Sequence, residues 1–288
     1  MKYFSRGRSI FITIDQQFAG SSLSDFLSFY NRTSRGPFTI KVNNKDISDE
    51  YIFNLSDTLE ITSPESEIDY PFSSEPCEVV YEDDIVYIVH KEPGIIIHSD
   101  TEDCLANKAA LYQSLNGLNQ PVRYLHRLDR DTSGLVMFVK NLFFQPWLDA
   151  QLREKNISRI YEAITTGNGK VGQKFTYNQP IGKDRHVNGK YRQSKTGKPA
   201  VTKCQLLAKK NGYLLMECHL QTGRTHQIRV HLSSNSHPIV NDPLYGVKSN
   251  DFKHMGLWAK KMVFTDPLTS EEITVTDYPN PDYDLFSK

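Results

Sequence analysis

The chain has 288 residues, 38% hydrophobic and 24% charged, an ordinary globular composition long enough for one large domain and a small companion. Its 34 basic and 34 acidic residues cancel, which excludes a partner held by net field alone; any nucleic-acid surface must come from segregated charge. Met1 to Arg8 lacks the apolar core of a signal peptide, and no run approaches the roughly 20 apolar residues of a membrane helix. Cys77, Cys104, Cys204 and Cys218 have no paired short spacing, so a cytoplasmic protein with reduced thiols is expected, without zinc site or disulfide frame.

In chain order, residues 1–62 form a first unit. Positions 10–14 alternate as a strand does, and Leu23, Phe26, Leu27 and Tyr30 have helix spacing. Residues 39–47 read as strand, Asn43-Asn44 turn and strand, and 55–61 as a closing strand. This order resembles the small RNA-binding domain found in a ribosomal small-subunit protein. The second helix of that domain, which carries much of its RNA contact, is compressed here into 32–37, where Gly36-Pro37 opposes helix. A degenerate small α/β domain is therefore expected at 1–62. Polar, proline-dotted residues 63–76 follow as a linker.

The large domain, 77–288, opens with two strands around an acidic turn, then Lys91-Glu92-Pro93-Gly94 and a third strand reaching His98. An amphipathic helix is expected at 104–115. The stretch Arg123 to Lys140 organises the rest. Its run Leu135 to Val139 is short, apolar and branched, as a buried strand is. The charged residues before it thus occupy the loop leading into a strand, where scaffolds place catalytic groups. Arg127 and Arg130 flank Asp129, and nearby opposite charge favours an ionised carboxylate. Without further context a surface turn laced with ion pairs is the simpler reading. Asp129 and Asp131 could instead form an acid/base pair of glycosidase type; Arg130 and the Thr-Ser-Gly that follows favour Asp131 as a bracket within the loop.

Beyond it, Trp147, Leu148 and Leu152 mark a helix at 144–155, and 158–164 a strand containing Arg159 and Tyr161. Residues 183–203 concentrate charge: Lys183, Arg185, Lys190, Arg192, Lys195, Lys198 and Lys203 against Asp184 alone, with turns at Gly189 and Gly197. A solvated loop accounts for this, but a mobile basic hairpin is also what a phosphate-binding arm needs. Thr222-Gly223-Arg224 turns into a helix on which Ile228 and Leu232 share a face and Arg229 points elsewhere. Many short strands without β-α-β rhythm predict an α+β fold: a mixed, mainly antiparallel sheet with flanking helices around a central cleft.

The string His126-Arg127-Leu128-Asp129-Arg130-Asp131-Thr132-Ser133-Gly134 resembles the signature of the RluA-type pseudouridine synthases, which isomerise uridine in structured RNA. So do Arg159-Ile160-Tyr161-Glu162-Ala163, with Arg159 where lysine is common, and Thr222-Gly223-Arg224-Thr225-His226-Gln227-Ile228-Arg229-Val230-His231. In Asn241-Asp242-Pro243-Leu244-Tyr245-Gly246, Asn241 replaces a glycine, and Trp258 stands where histidine is usual. The resemblance spans roughly 77–280. It implies a pseudouridine synthase fold with Asp129, Tyr161 and Arg229 as catalytic residues. Arg127, Ile228, His126 and Arg224 would bind substrate, with Lys190, Arg192 and Lys195 from the hairpin. It requires no cofactor and no metal, and makes structured RNA the partner of a monomer. An N-terminal unit of this kind points to large-subunit ribosomal RNA; transfer RNA is the alternative substrate. A silent RNA-binding protein of the same fold and a carbohydrate hydrolase built on Asp129 and Asp131 are the competing readings.

Overall fold

The computed structural model describes residues 1–286. The N-terminal residues build a five-stranded antiparallel sheet from β1 (Lys2–Arg6), β2 (Ser9–Thr13), β3 (Thr39–Val42), β4 (Lys45–Asp46) and β5 (Thr58–Thr62), in the order β1-β2-β5-β3-β4. Alternate residues of β2 and β5 (Ile10, Ile12, Leu59, Ile61) are buried against Leu23, Phe26 and Leu27 of helix α1 (Leu23–Phe29). The helix starts at a reciprocal cap: the Asp25 amide donates to the Ser22 hydroxyl at 3.1 Å, and the Ser22 amide to the Asp25 carboxylate at 2.8 Å. Asn43 and Asn44 turn the β3–β4 hairpin with φ of 49° and 63°, the left-handed pair that a two-residue turn between twisted strands demands. Strand β1, an exposed edge, had no distinct sequence signal.

Residues 32–37 contain no helix, and their arginines face inward. The Arg32 guanidinium packs against the rings of Phe38 and Phe143, 4.6 and 4.8 Å from their centroids, and donates to the Phe143 carbonyl at 3.0 Å. Arg35 is taken up by Asp49 and the Ile47 carbonyl. Phe143 and Phe144 are fully buried in a core that continues from the N-terminal sheet, each such side chain contributing about 1.5–3 kcal/mol. The Tyr30 hydroxyl donates across the same junction to the Pro267 carbonyl. Residues 63–76 lie against the larger unit: Asp69 accepts the Val122 amide at 2.8 Å and pairs with Arg123 at 2.6 Å.

The larger unit contains β6 (Glu78–Glu82), β7 (Val86–Lys91), β8 (Ser133–Val139), β9 (Ser158–Thr165), β10 (Lys174–Tyr177), the hairpin β11 (Ile181–Lys183) and β12 (Tyr191–Gln193), then β13 (Thr202–Lys210), β14 (Tyr213–Leu220), β15 (Leu257–Thr265) and β16 (Glu272–Thr276). Its main sheet runs β10-β13-β14-β9-β15-β8-β7-β6, with β16 beside β15; only β8 and β15 pair in parallel. The flanking helices are α2 (Leu105–Leu115), α3 (Gln145–Glu154) and α4 (Gln227–Ser234). This is the mixed, mainly antiparallel α+β arrangement that the short strands predicted.

One expected strand is absent. Residues 95–97 form no strand, because the carbonyls of Ile96 and Ile97 accept the amides of Leu105 and Ala106 at 2.9 and 3.0 Å, satisfying the first turn of α2. The β13–β14 hairpin is turned by Asn211-Gly212 with φ of 51° and 82°, the left-handed pair that an Asn-Gly turn supplies.

All seven residues of β8 are buried, which anchors the loop that precedes it. At Gly134 (φ 112°) an added Cβ would lie 2.4 Å from the Ala259 carbonyl oxygen, so the parallel contact with β15 tolerates no side chain there. Trp258, in place of the usual histidine, donates its indole N–H to Asp277 at 2.6 Å, and His90 binds the same carboxylate at 2.8 Å. Burial opposes charge on His90, but Asp277, with Glu78 and Glu92, outweighs it and moves the imidazole pKa up. A histidine raised in this way stabilises the fold below its unfolded value of about 6.5 and loses that contribution as pH climbs through the folded value. The parent should therefore exceed His90→Gln by about 1 kcal/mol in urea unfolding below pH ~6. That margin should shrink as pH rises; a constant margin would show that His90 acts only by packing.

Candidate active site

The segment Arg123 to Leu125 runs antiparallel to the end of β8, with the Leu125 amide on the Met137 carbonyl and the Val139 amide on the Arg123 carbonyl, both at 2.8 Å. The charged residues between them close a loop over the sheet, and the Thr132 amide turns back to the Asp129 carbonyl at 3.2 Å. Beneath it Lys91, fully buried, donates to the carbonyls of Glu92, Ile95 and Arg130 at 2.7–2.8 Å. Burial pushes the Lys91 pKa down to about 7, against the opposing charges of Asp131 and Asp129. Three carbonyls match the three donors of the ammonium, so this end of the loop is fixed from below.

Asp129 stands in a cleft of about 1130 Å³ whose walls include Arg127, Tyr161, Arg224 and Ile228. Arg229, 100 positions further on, projects from α4 and donates through Nη1 to Asp129 Oδ2 at 2.9 Å. Its Nε and Nη2 form a two-point pair with Asp242, both at 2.8 Å. The Arg229 and Asp242 side chains are 4% and 0% exposed, whereas Asp129 is 25% exposed and faces the cleft. Burial disfavours the Arg229 charge, but the bonds and charges of Asp242 and Asp129 outweigh it and hold the guanidinium protonated. Asp242 is itself held by the amides of Leu244 and Tyr245 in a turn that Gly246 closes; an added Cβ there would lie 2.0 Å from the Ile239 carbonyl. Asn241 takes φ of 56°, the left-handed conformation it can adopt in place of glycine.

Tyr161 on β9 is 4% exposed and lines the cleft. Burial moves its phenol pKa up, against the charge of Arg159, so it is protonated at neutral pH. Ile228 offers an apolar wall, and Arg127 is exposed with no ion pair among the described residues. His126 is 6% exposed and turned inward, with Nε2 3.4 Å from the Met137 amide and Nδ1 lacking a partner. Burial, then Arg159, pushes its pKa down to about 3, so it is a neutral ring in the loop's base. Arg224 is exposed at the rim and donates to the Pro199 carbonyl at 2.9 Å.

The structure separates what the local sequence grouped. Arg130 turns away from Asp129 to a two-point pair with Glu102 at 2.7 and 3.1 Å, so the cation beside Asp129 comes from α4. Asp131 lines the cleft but makes no side-chain hydrogen bond among the described residues, and does not bracket the loop as expected. Lys190, Arg192 and Lys195 do lie on or beside the β11–β12 hairpin, outside the cleft wall. Lys190 Nζ lies 5.3 Å from the Tyr245 ring centroid, while Arg192 and Lys195 are exposed. Sequence reading had not separated out His226, whose Nε2 is 3.9 Å from Asp129 Oδ2, or Asp242, which anchors Arg229. Both lie within the motifs it quoted. Among the described residues no three His, Cys, Asp or Glu side chains gather in a way that could hold a metal ion. Among the described residues no helix is long and apolar enough to cross a membrane.

Known proteins resemble this chain in sequence and in fold. A family model described as RNA pseudouridylate synthase matches residues 85–234. The uncharacterized RNA pseudouridine synthase YhcT of Bacillus subtilis is 35% identical over 290 residues, covering 96% of this chain and 95% of its own. The ribosomal large subunit pseudouridine synthase D of Neisseria meningitidis is 34% identical over 311 residues, covering 96% of this chain and 80% of its own. Among solved structures, human RNA pseudouridylate synthase domain containing 4 superposes with a TM-score of 0.59 at 21% identity, over 73% of this chain and 93% of its own, a likeness of fold. The matched region runs from β7 to the end of α4 and so carries Asp129, Tyr161 and Arg229 together. From the sequence motifs, the fold and relatives that align along nearly the whole chain, the protein belongs to the RluA-type RNA pseudouridine synthases.

Proposed function

We propose that the protein isomerises specific uridines of large-subunit ribosomal RNA, with Asp129 as the catalytic carboxylate. The observation that carries this reading is the Arg229 bridge, which holds Asp129 at 2.9 Å from a buried cation yet leaves it facing a cleft. The reaction breaks the bond from base N1 to ribose C1′, joins C5 to C1′, releases the C5 proton and returns one to N1. Asp129 either adds to C1′ as a nucleophile or removes a proton from the sugar to begin an elimination; both need the free carboxylate. Tyr161 lies against the uracil, and its phenol relays the C5 proton. Ile228 packs on the other face, and Arg127 fills the gap left by the extruded nucleotide. His126 and Arg224 complete the substrate side. The ribosomal assignment is supported by the Neisseria relative, named a ribosomal large subunit pseudouridine synthase, and by an N-terminal unit of related layout.

In residues 1–62 the arginines of the missing contact helix serve internal packing, so we read this unit as a fixed cap with little RNA affinity of its own. The test of substrate is direct. Total RNA from a strain lacking the gene, treated with the purified protein, should gain carbodiimide-stable uridines in large-subunit ribosomal RNA. Gains confined to transfer RNA would overturn that assignment.

The basic hairpin supplies phosphate contacts. Changing Lys190, Arg192 and Lys195 together to Gln should weaken RNA binding and lower its salt dependence by about one log unit of slope per lost contact. An unchanged slope in filter-binding titrations would make the segment a solvated loop.

A further inference from the structure

A polar chain runs from the basic hairpin to within 3.9 Å of Asp129. The Tyr191 amide, in β12, donates to the Tyr245 hydroxyl at 2.7 Å. The same hydroxyl lies 2.9 Å from His226 Nδ1, to which it can give its own hydrogen. When it does so, the hydrogen of the neutral imidazole is on Nε2, the nitrogen that faces Asp129 Oδ2 at 3.9 Å. The ring is held edgewise between two others, Tyr191 at 5.4 Å and Tyr245 at 5.6 Å between centroids. Its backbone is left-handed, φ 57°, a conformation that a non-glycine residue keeps only where its surroundings impose it. Tyr245 in turn carries Lys190 of the hairpin and Arg229 near its ring, at 5.3 and 5.2 Å. One tyrosine thus touches the RNA arm, the cation beside Asp129 and the imidazole aimed at it.

We propose that His226 is a positioning residue for Asp129, and that Tyr191 and Tyr245 couple seating of the hairpin on RNA to closure of the His226–Asp129 gap. This rests on Asp129 being the catalytic carboxylate. The 3.9 Å separation is too long for a hydrogen bond in the free protein, and catalytic contacts of this kind commonly tighten when substrate binds. An N–H donated to one carboxylate oxygen would leave the other aimed at the ribose.

The test uses single-turnover release of tritium from uracil C5 in total RNA from a strain lacking the gene, with RNA affinity measured separately. His226→Leu should slow the step about tenfold or more with affinity within about twofold, since the residue acts on the reacting group and not on phosphate. His226→Gln, whose amide N–H falls near the position of Nε2, should recover most of the loss. Tyr245→Phe, which removes one oxygen and keeps the ring, should slow turnover about three- to tenfold. Parent-like rates in both His226→Leu and Tyr245→Phe would overturn the proposal, as would equal losses in the Leu and Gln variants accompanied by weakened binding. Asp129→Asn, run alongside, separates the two readings. If it is inactive while His226→Leu turns over normally, only the positioning role fails; if it remains active, the reading of Asp129 itself fails.

Discussion

Asp129→Asn should give a folded, RNA-binding protein that forms no detectable pseudouridine, a loss of at least about 1000-fold or ~4 kcal/mol in barrier. The substitution keeps the side-chain size, and an amide oxygen can still accept the Arg229 N–H that now reaches Oδ2 at 2.9 Å. Arg229 keeps its two-point pair with Asp242, so no buried cation is left alone and the stability cost should be about 1 kcal/mol. An amide can neither add to C1′ as a competent nucleophile nor take up a proton, which removes both candidate routes together. RNA affinity should hold or rise, because one negative charge leaves a cleft that receives phosphate. Turnover within about tenfold of the parent would move attention to Asp131, a second carboxylate on the same cleft wall.

Arg229→Ala should cost folding as well as chemistry. Asp242 is 0% exposed and has Arg229 as its only counter-charge among its bonded partners, the others being backbone amides. Removing one member of such a buried pair typically costs about 3–5 kcal/mol, and a comparable fall in urea unfolding free energy is expected here. Arg229→Lys isolates the chemical part. An ammonium keeps the charge but cannot reach both Asp129 and the two oxygens of Asp242 as a planar fork does. It should fold more stably than the Ala variant and still lose about 100-fold or more in single-turnover rate, with RNA affinity little altered. Equal loss of affinity and rate would instead make Arg229 a phosphate contact. A Lys variant matching the parent in stability and rate would show the forked bridge to be dispensable.

The sequence by itself determined the elements whose local pattern matches their burial. The β8 strand was legible because all of its seven residues are apolar or small and all are buried. Helix α1 announced itself through the spacing of Leu23, Phe26, Leu27 and Tyr30, and the β3–β4 turn through two asparagines that tolerate left-handed backbone. The family motifs also placed Asp129, Tyr161 and Arg229 in one site. What the tertiary structure alone decided is which charges meet. Arg130 is adjacent to Asp129 in the chain but spends its guanidinium on Glu102, while Arg229, 100 positions away, supplies the cation. The same holds for residues 32–37, whose arginines look like an RNA contact and instead pack on Phe38, Phe143 and Asp49. The β-hairpin that carries Tyr191 to Tyr245, and so to His226, is a further case. The physical reason is common to the first two. Local spacing sets backbone conformation and the face a side chain leaves from, but a long cationic side chain reaches several ångström beyond its own element. Its partner is chosen by which buried acceptors the packing of distant segments brings within hydrogen-bond range.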